Sequence, residues 1–226
     1  FTNLQKIVLI FSLILSMLNF YFIFNIFNKK IFIKEHKEDF YLLGLSFILV
    51  LLIYFISFDG FDVIISVLSS ISNSGINLVK SDNNLSLYFL FITIIGGSLM
   101  SNTSGIKLTR LYILLKVTSA EIIKLISPNS IINKTIFNTE RKINDENIKI
   151  SFLIFISFFL SLFILSSFLI LDNIGFERSF KLSILTLTNT VNSEMYNLQN
   201  INFANLLTSS KISLIIFMII GKIELI

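Results

Sequence analysis

The fold of this chain is decided by residues 57–107, which read SFDGFDVIISVLSSISNSGINLVKSDNNLSLYFLFITIIGGSLMSNTSGIK. A short apolar stretch leads into the polar residues 72–76, and a longer apolar stretch is then interrupted at Gly96 and Gly97. In lipid, non-helical backbone persists only where protein or a water-filled cavity surrounds it. The segment therefore predicts a helix, a half-buried polar loop and a broken helix, an arrangement suited to an ion path.

A second polar stretch, residues 188–193, lies near the other end of the chain, again between apolar segments. The order of span, short helix, polar stretch and span then occurs twice, at 40–115 and at 150–226. It forms a weak internal repeat of about 110 residues, far longer than the period of solenoid repeats. Parallel repeats of this kind often surround a shared substrate pathway. The alternative is that two similar hairpins arose by chance.

The composition indicates an integral membrane protein. Hydrophobic residues make up 54% of the 226 positions and charged residues only 14%, whereas a soluble domain carries about 25% charged residues. Two apolar segments, 61–71 and 176–187, are too short to cross a bilayer and predict re-entrant or interfacial helices. Both chain ends read as cut, so we expect a longer natural protein. The five predicted spans are 7–27, 40–57, 85–115 (interrupted), 150–171 and 211–226.

The basic residues predict the orientation of these spans. Twelve of the eighteen Lys and Arg residues lie in segments 28–39 and 107–149. Cytoplasmic loops are enriched in Lys and Arg, so we expect both segments in the cytoplasm and both short helices to enter from the outside.

The residue inventory argues against an enzyme. There is no cysteine and a single histidine, His36, which excludes disulfides and thiolate metal sites. No paired carboxylates, phosphate-binding glycine loop or nucleophile–base pair stands out. We therefore expect a lipid-embedded chain with no catalytic residues, no bound cofactor and no nucleic-acid partner.

The first polar stretch is a candidate selectivity filter. Filters of this kind turn backbone carbonyls toward the ion, and a short helix that ends there directs its negative dipole end at a cation. An ordinary extracellular turn is the alternative interpretation. The candidate filter residues are Ser72, Asn73, Ser74 and Gly75.

The interruption of the third span is a candidate gate. Paired glycines followed by hydroxyl and amide residues predict an unwound, flexible constriction below the filter; close helix packing through small residues is the alternative. The candidate gating residues are Gly96, Gly97, Ser98, Ser101, Asn102, Thr103, Ser104 and Gly105.

Lys222 lies in the last apolar run. Charges within a membrane usually face the protein interior or a water path. A lysine that snorkels to the cytoplasmic surface is the alternative.

Several motifs resemble the TrkH/KtrB family of potassium transporters. Residues 96–110, GGSLMSNTSGIKLTR, resemble the family pattern GGCAGSTSGGIKVIR, and residues 218–226, MIIGKIELI, resemble MLLGRLEIF. Residues 127–132, SPNSII, resemble the cytoplasmic link HPNAVV, and residues 202–211, NFANLLTSSK, fit the approach to the last helix. The matches occur in the family's order and cover nearly the whole chain.

The resemblance implies a fourfold pseudo-symmetric pore of helix–pore loop–helix repeats, of which this chain holds the third and fourth. Segment 1–39 would be the closing helix of a preceding repeat with its cytoplasmic loop. Segments 40–126 and 150–226 would be the two repeats, joined by a cytoplasmic linker at 127–149. The fourth filter segment would contain Asn189, Thr190, Val191 and Asn192.

The resemblance also implies function and partners. The chain would be part of a potassium uptake subunit in a bacterial inner membrane, with K⁺ as the transported ion held by filter carbonyls. It would form a homodimer and bind a cytoplasmic nucleotide-binding regulatory subunit like TrkA or KtrA. Lys222 would replace the family's arginine that faces the gating loop. A sodium-permeable or non-selective relative and a non-conducting membrane scaffold remain alternatives.

Three departures from the family pattern concern the proposed pore. Val191 stands where the fourth filter segment usually has glycine, which predicts altered carbonyl geometry and relaxed selectivity. Met100 and Ser104 replace glycines of the gating loop and predict a stiffer loop. Lys222 keeps the charge of arginine but lacks its planar fork, so it makes fewer contacts.

Overall fold

The computed structural model describes residues 1–28, 36–57, 60–76, 78, 83–128, 135–139, 142–190, 195–196, 198 and 203–222. Across these residues the chain forms nine α-helices and two short 3₁₀ turns, Ile136–Asn138 and Phe203–Asn205, and no strand. The helices are α1 (Asn3–Met17), α2 (Phe20–Phe27), α3 (Lys37–Ser57), α4 (Gly60–Ser72), α5 (Asn83–Ile94), α6 (Leu108–Ile126), α7 (Asp145–Ile170), α8 (Phe176–Leu187) and α9 (Thr208–Lys222).

Two of the described helices, α3 and α7, are each long and apolar enough to cross a membrane. Their mean hydropathies reach 2.3 and 2.7, and only 22% of the most apolar window of each helix is buried within the chain. Large apolar side chains such as Phe55 and Phe152 are exposed on their surfaces, as expected where lipid replaces water. The bent pair α1 and α2 adds a third candidate span.

The first predicted span is not one continuous helix. The prediction placed a single span at 7–27, but α1 ends at Met17 and α2 begins at Phe20, with a bend of 114° between them. The Asn19 side chain accepts a hydrogen bond from the Tyr21 amide and so caps the new helix. The run contains no glycine or proline, so the sequence carries no strong signal for a break there.

The two short helices form where the apolar stretches 61–71 and 176–187 predict them. Helix α4 packs against α1, α3 and α5, while α8 packs against α7, α9 and α5. Their later residues are buried, from Ile65 to Ser72 in α4 and from Lys181 to Leu187 in α8. Protein therefore surrounds the carboxyl end of each short helix, which is the condition for non-helical backbone inside a membrane.

The third predicted span is interrupted, as its glycines and small polar residues predict. Helix α5 ends at Ile94 and α6 begins at Leu108, which leaves residues 95–107 non-helical. We call these residues the α5–α6 loop. The second part of the span extends to Ile126, eleven residues beyond the predicted limit at 115.

Candidate functional site

Helix α4 ends in a left-handed cap at Asn73. The Ser74 amide donates to the Ser69 carbonyl at 3.1 Å and the Asn73 amide donates to the Ser70 carbonyl at 3.4 Å, the two bonds of a Schellman motif. Asn73 has a φ of 56°, in a region that asparagine tolerates better than most residues. Gly75 follows with a φ of 72°. The chain therefore turns sharply through the predicted filter residues.

Helix α8 ends in the same way at Asn189. The Thr190 amide donates to the Leu185 carbonyl at 2.9 Å, the Asn189 amide donates to the Thr186 carbonyl at 3.1 Å, and Asn189 has a φ of 54°. Two short helices thus share one capping motif with asparagine at the same position. The remaining residues of the predicted fourth filter segment, Val191 and Asn192, lie outside the described residues.

The two capped ends are joined by a side chain. The Asn73 side-chain amide donates to the Thr188 carbonyl at 3.1 Å, and Asn73 and Thr188 are 8% and 0% exposed. Among the described residues no donor lies within hydrogen-bond distance of Asn73 Oδ1. A helix carboxyl end carries partial negative charge. The two helix carboxyl ends therefore lie close together, with the Thr188 carbonyl oxygen and Asn73 Oδ1 at their contact. Neutral oxygens of this kind are suited to bind a desolvated cation.

The two ends of the α5–α6 loop are joined by backbone hydrogen bonds, next to the end of α5 and the start of α6. The Gly96 amide donates to the Ile106 carbonyl and the Ile106 amide donates to the Ile94 carbonyl, both at 2.9 Å. A Cβ added to Gly96 would lie 2.4 Å from the Ser104 carbonyl oxygen. Gly105 has a φ of 81°. These glycines are therefore required for the close approach of the two chain segments and for the turn between them.

Hydroxyl groups and a lysine tie the inside of the loop together. The Thr103 hydroxyl accepts from the Gly97 amide at 2.7 Å and lies 2.8 Å from the Ser101 hydroxyl. The Lys107 ammonium donates to the carbonyl oxygens of Ser101 and Thr103 at 3.0 and 2.7 Å. Lys107 is 2% exposed. The sequence predicts that Lys107 belongs to a cytoplasmic segment, but in the structure its side chain lies inside the loop.

Two side chains from the last third of the chain reach the loop. The Lys222 ammonium donates to the Asn102 carbonyl at 3.1 Å. The Asn189 side-chain amide donates to the Met218 carbonyl of α9 at 3.0 Å and to the Ser104 hydroxyl at 3.3 Å. Asn189 therefore contacts the predicted gating loop directly from the predicted fourth filter segment.

The loop is also bonded to the break between α1 and α2. The Ser98 amide donates to the Met17 carbonyl at 3.0 Å, and the Phe20 amide donates to the Met100 carbonyl at 3.3 Å. Each break frees backbone groups that a continuous helix would satisfy. Here the groups freed by one break pair with those freed by the other.

Two acidic residues at the start of α3 support this junction. Glu38 Oε1 accepts from the Leu99 amide at 2.9 Å, and Asp39 Oδ1 accepts from the Asn19 amide at 2.8 Å. Asp39 is 1% exposed and also lies near the His36 ring, with His36 Nδ1 3.6 Å from Asp39 Oδ2. Carboxylate oxygens at these positions satisfy backbone donors of both breaks.

The structure brings the predicted filter ends, the predicted gating residues and Lys222 into one connected region. Reasoning from the sequence missed Lys107, Glu38 and Asp39. For Lys107 a signal was present, because it stands two residues after the small-residue run of an interrupted span, where a charge indicates a functional position. For Glu38 and Asp39 the sequence offers only two acids at the start of a span, which is common at helix amino ends.

This architecture defines an all-helical membrane protein with the fold of a known class of ion transporters. The structure is similar to the crystal structure of the potassium transporter TrkH from Vibrio parahaemolyticus, with a TM-score of 0.84 and 18% identical residues. The match covers 96% of this chain and 49% of that one. This chain thus has the TrkH fold over about half the length of that transporter, and the resemblance seen in the motifs is confirmed at the level of the fold. No protein-family model and no curated protein sequence matches the chain.

Proposed function

We propose that this chain is the C-terminal half of the pore-forming subunit of a Trk-type potassium uptake system. The observation that carries the proposal is the pair of short helices α4 and α8, which end in the same asparagine cap and meet through the bond from Asn73 to Thr188. Buried carboxyl ends and neutral oxygens favour a cation over an anion. The similarity to TrkH, a potassium transporter, supports potassium as the ion.

In this proposal the segments 40–126 and 150–226 are the third and fourth pore repeats. Residues 72–75 and 189–192 provide two of four filter segments, and the first two are supplied by another part of the protein. The α5–α6 loop is the gate. In this proposal the gate lies next to the fourth filter segment. The filter residue Asn189 contacts both Ser104 of the loop and α9.

The loop is suited to a gate because its closure depends on contacts from other elements. Lys222 of α9 holds Asn102, and the α1–α2 break holds Ser98 and Met100. A shift of α9 or of the α1–α2 break would therefore change the bonds that keep the loop in place. The membrane potential provides about 2.3 kcal/mol per elementary charge for each 100 mV for inward movement of a cation once the gate opens.

The proposal is tested by potassium-limited growth and rubidium uptake in a bacterium without its own potassium uptake systems. The full-length protein should rescue growth and take up rubidium. A Gly75→Val variant should abolish both, because Gly75 has a φ of 72° that a β-branched residue does not adopt without strain. Gly44→Ala is the matched control, since a Cβ added at Gly44 meets no described atom within 4 Å outside its own stretch of helix, and it should retain uptake.

The two alternatives give different results in the same assay. A sodium-permeable or non-selective relative, which Val191 favours, would take up rubidium that excess sodium suppresses. A non-conducting scaffold would reach the membrane and carry neither ion. The first result would reject selectivity for potassium, and the second would reject ion uptake altogether.

We also propose a homodimer in a bacterial inner membrane that binds a cytoplasmic nucleotide-binding regulatory subunit. The proposal rests on the similarity to TrkH and on the segments 28–39 and 107–149, whose basic residues predict a cytoplasmic side. The molecular mass of the purified full-length protein in detergent would test the dimer. Nucleotide-dependent rubidium flux after addition of the purified regulator would test the partnership.

A further inference from the structure

Among the described residues, Ser101 and Thr103 place four oxygen atoms within hydrogen-bond distance of the Lys107 ammonium. It lies 3.0 and 2.7 Å from the carbonyl oxygens of Ser101 and Thr103, and 3.2 and 3.3 Å from their hydroxyl oxygens. An ammonium has three protons to donate, so these oxygens outnumber them. Four neutral oxygens of the described residues, which we call the cage, therefore lie around this positive charge, more than its three protons bond one by one.

This cage has the composition of a site for a monovalent cation. Carbonyl oxygens that replace a hydration shell are the means by which proteins bind such ions, and lysine presents its charge as a point rather than as a planar fork. Lys107 is 2% exposed, so the charge is removed from bulk water. The oxygens come from two residues at a bend of the chain, and the two hydroxyls also bond to each other at 2.8 Å.

The two lysines at the loop have different environments. Lys107 precedes α6 directly and is buried, whereas Lys222 is exposed on α9 and donates to the Asn102 carbonyl of the loop. The successive carbonyls of residues 101, 102 and 103 thus accept from two ammonium groups, that of Lys107 in the loop itself and that of Lys222 in α9. A loop that is held internally by a buried charge and joined to α9 by an exposed charge can leave α9 and keep its own shape.

We propose that the oxygens of Ser101 and Thr103 form a monovalent-cation site, which the Lys107 ammonium occupies as a tethered cation that keeps the α5–α6 loop folded. This deepens the proposed function, on which its gating consequence rests. Lys222 is then the contact that is released when the gate opens, and Lys107 keeps the released loop intact. Removal of the Lys107 side chain leaves a site that a small free cation fills.

The test measures the thermal unfolding midpoint of the purified full-length protein with Lys107→Ala, titrated with methylammonium chloride. Methylammonium carries the same charged end group as lysine. Tetramethylammonium chloride at equal concentration is the salt control, because it is larger and has no proton to donate. Wild type and Lys222→Ala are the matched protein controls.

The expected result is a saturable rise of the midpoint with methylammonium in Lys107→Ala alone. No effect of tetramethylammonium is expected in any of the three proteins. An equal response in all three proteins, or no response in Lys107→Ala, would overturn the proposal. These readouts do not depend on transport, so a wild-type protein that carries no rubidium would reject the proposed function and leave this result to be judged separately.

A second measurement needs no variant and applies if Lys107→Ala does not fold. A small amine-modifying reagent is added to wild-type protein, and modification of each lysine is followed by mass spectrometry. Lys107 should react at least tenfold more slowly than Lys222. Comparable rates would contradict a permanently held ammonium.

Transport tests the gating consequence in vesicles. Lys107→Ala should raise the basal rubidium flux above that of wild type, because the loop loses its internal tie, and methylammonium should lower the flux again. A flux that falls in the variant and does not respond to methylammonium would reject a role of Lys107 in closing the gate.

Discussion

Asn73 and Asn189 both cap a short helix, but their side chains bond to different parts of the protein. Each caps a short helix in the left-handed conformation, with φ values of 56° and 54°. The Asn73 side chain then reaches the end of the other short helix, whereas the Asn189 side chain reaches α9 and the α5–α6 loop. One residue type thus satisfies the backbone and links elements, which glycine at the same position does not do.

Glycine and alanine at position 189 separate these two tasks. We expect Asn189→Gly to keep the cap and lose the amide bonds, at about 1 kcal/mol of unfolding free energy for each bond. Asn189→Ala should lose a further 1–2 kcal/mol or so because alanine pays for the left-handed conformation. Unfolding in detergent measures both variants. Equal stability of the two would show that the cap, as described, is not formed.

Gly221 allows α9 to contact the end of α8 closely. A Cβ added there would lie 2.0 Å from the Leu187 carbonyl oxygen and 2.7 Å from the carbonyl carbon. Both are backbone atoms, which cannot rotate away as a side chain does. The contact fixes the position of α9 relative to the end of α8. It therefore also fixes the position of the neighbouring Lys222 relative to the predicted fourth filter segment.

Gly221→Ala should therefore force α9 away from α8. We expect a loss of about 1–3 kcal/mol of unfolding free energy, the usual cost of overpacking, together with altered rubidium flux. Gly44→Ala is the matched control, since both glycines lie within helices and Gly44 has open space around it. That control should be neutral or slightly stabilising, because alanine favours helix over glycine. Equal effects of the two changes would argue against close contact at Gly221.

At the scale of elements, the two helix breaks act as one structural unit. Backbone groups of residues 17 and 20 pair with those of residues 98 and 100. The carboxylates of Glu38 and Asp39 then satisfy amides of residues 99 and 19. Unsatisfied backbone groups cost several kcal/mol each inside a membrane, so neither break is stable without the other. Movement of α2 is for this reason expected to reach the predicted gate.

Asp39→Ala tests this dependence. The change leaves the Asn19 amide without its acceptor at a site that is 1% exposed. We expect a loss of about 1–3 kcal/mol of unfolding free energy, the cost of a buried donor left unpaired. Asp145→Ala, an exposed acid in the first turn of α7, is the control and should cost no more than about 1 kcal/mol. A loss at Asp39 as small as that of the control would mean that the junction is not held by this carboxylate.

The sequence predicts the elements that local composition determines. The short helices α4 and α8 could be predicted because apolar stretches of about a dozen residues end in polar ones, and the interruption after Ile94 because glycines and hydroxyl residues follow. The break at Leu18 and Asn19 could not, because its cause lies in residues 39, 98 and 100, far away in the sequence. The role of Lys107 was missed for a related reason, since its carbonyl partners converge only after the loop has closed.

At the scale of the whole molecule, α5 lies between the two halves of the chain. It packs against α4 of its own half and against α8 of the other, and its end leads into the loop that Asn189 and Lys222 contact. Each short helix is thereby enclosed by helices of its own half and by α5. Because both halves contact α5 and the α5–α6 loop, we expect a movement of α9 to change the positions of both short helices together.

The orientation of the whole chain gives a prediction that depends on no function. The Lys and Arg distribution predicts that the end of α6 lies in the cytoplasm and the start of α8 outside. The 226 residues contain no cysteine, so single cysteines are clean reporters in this part of the protein. Both Ser127, after α6, and Gly175, before α8, are exposed. A membrane-impermeant maleimide added to intact cells should label Gly175→Cys at once and Ser127→Cys only after permeabilisation. Labelling of both positions from the same side would rule out a crossing by α7, the long helix between them and the more apolar of the two long candidate spans α3 and α7.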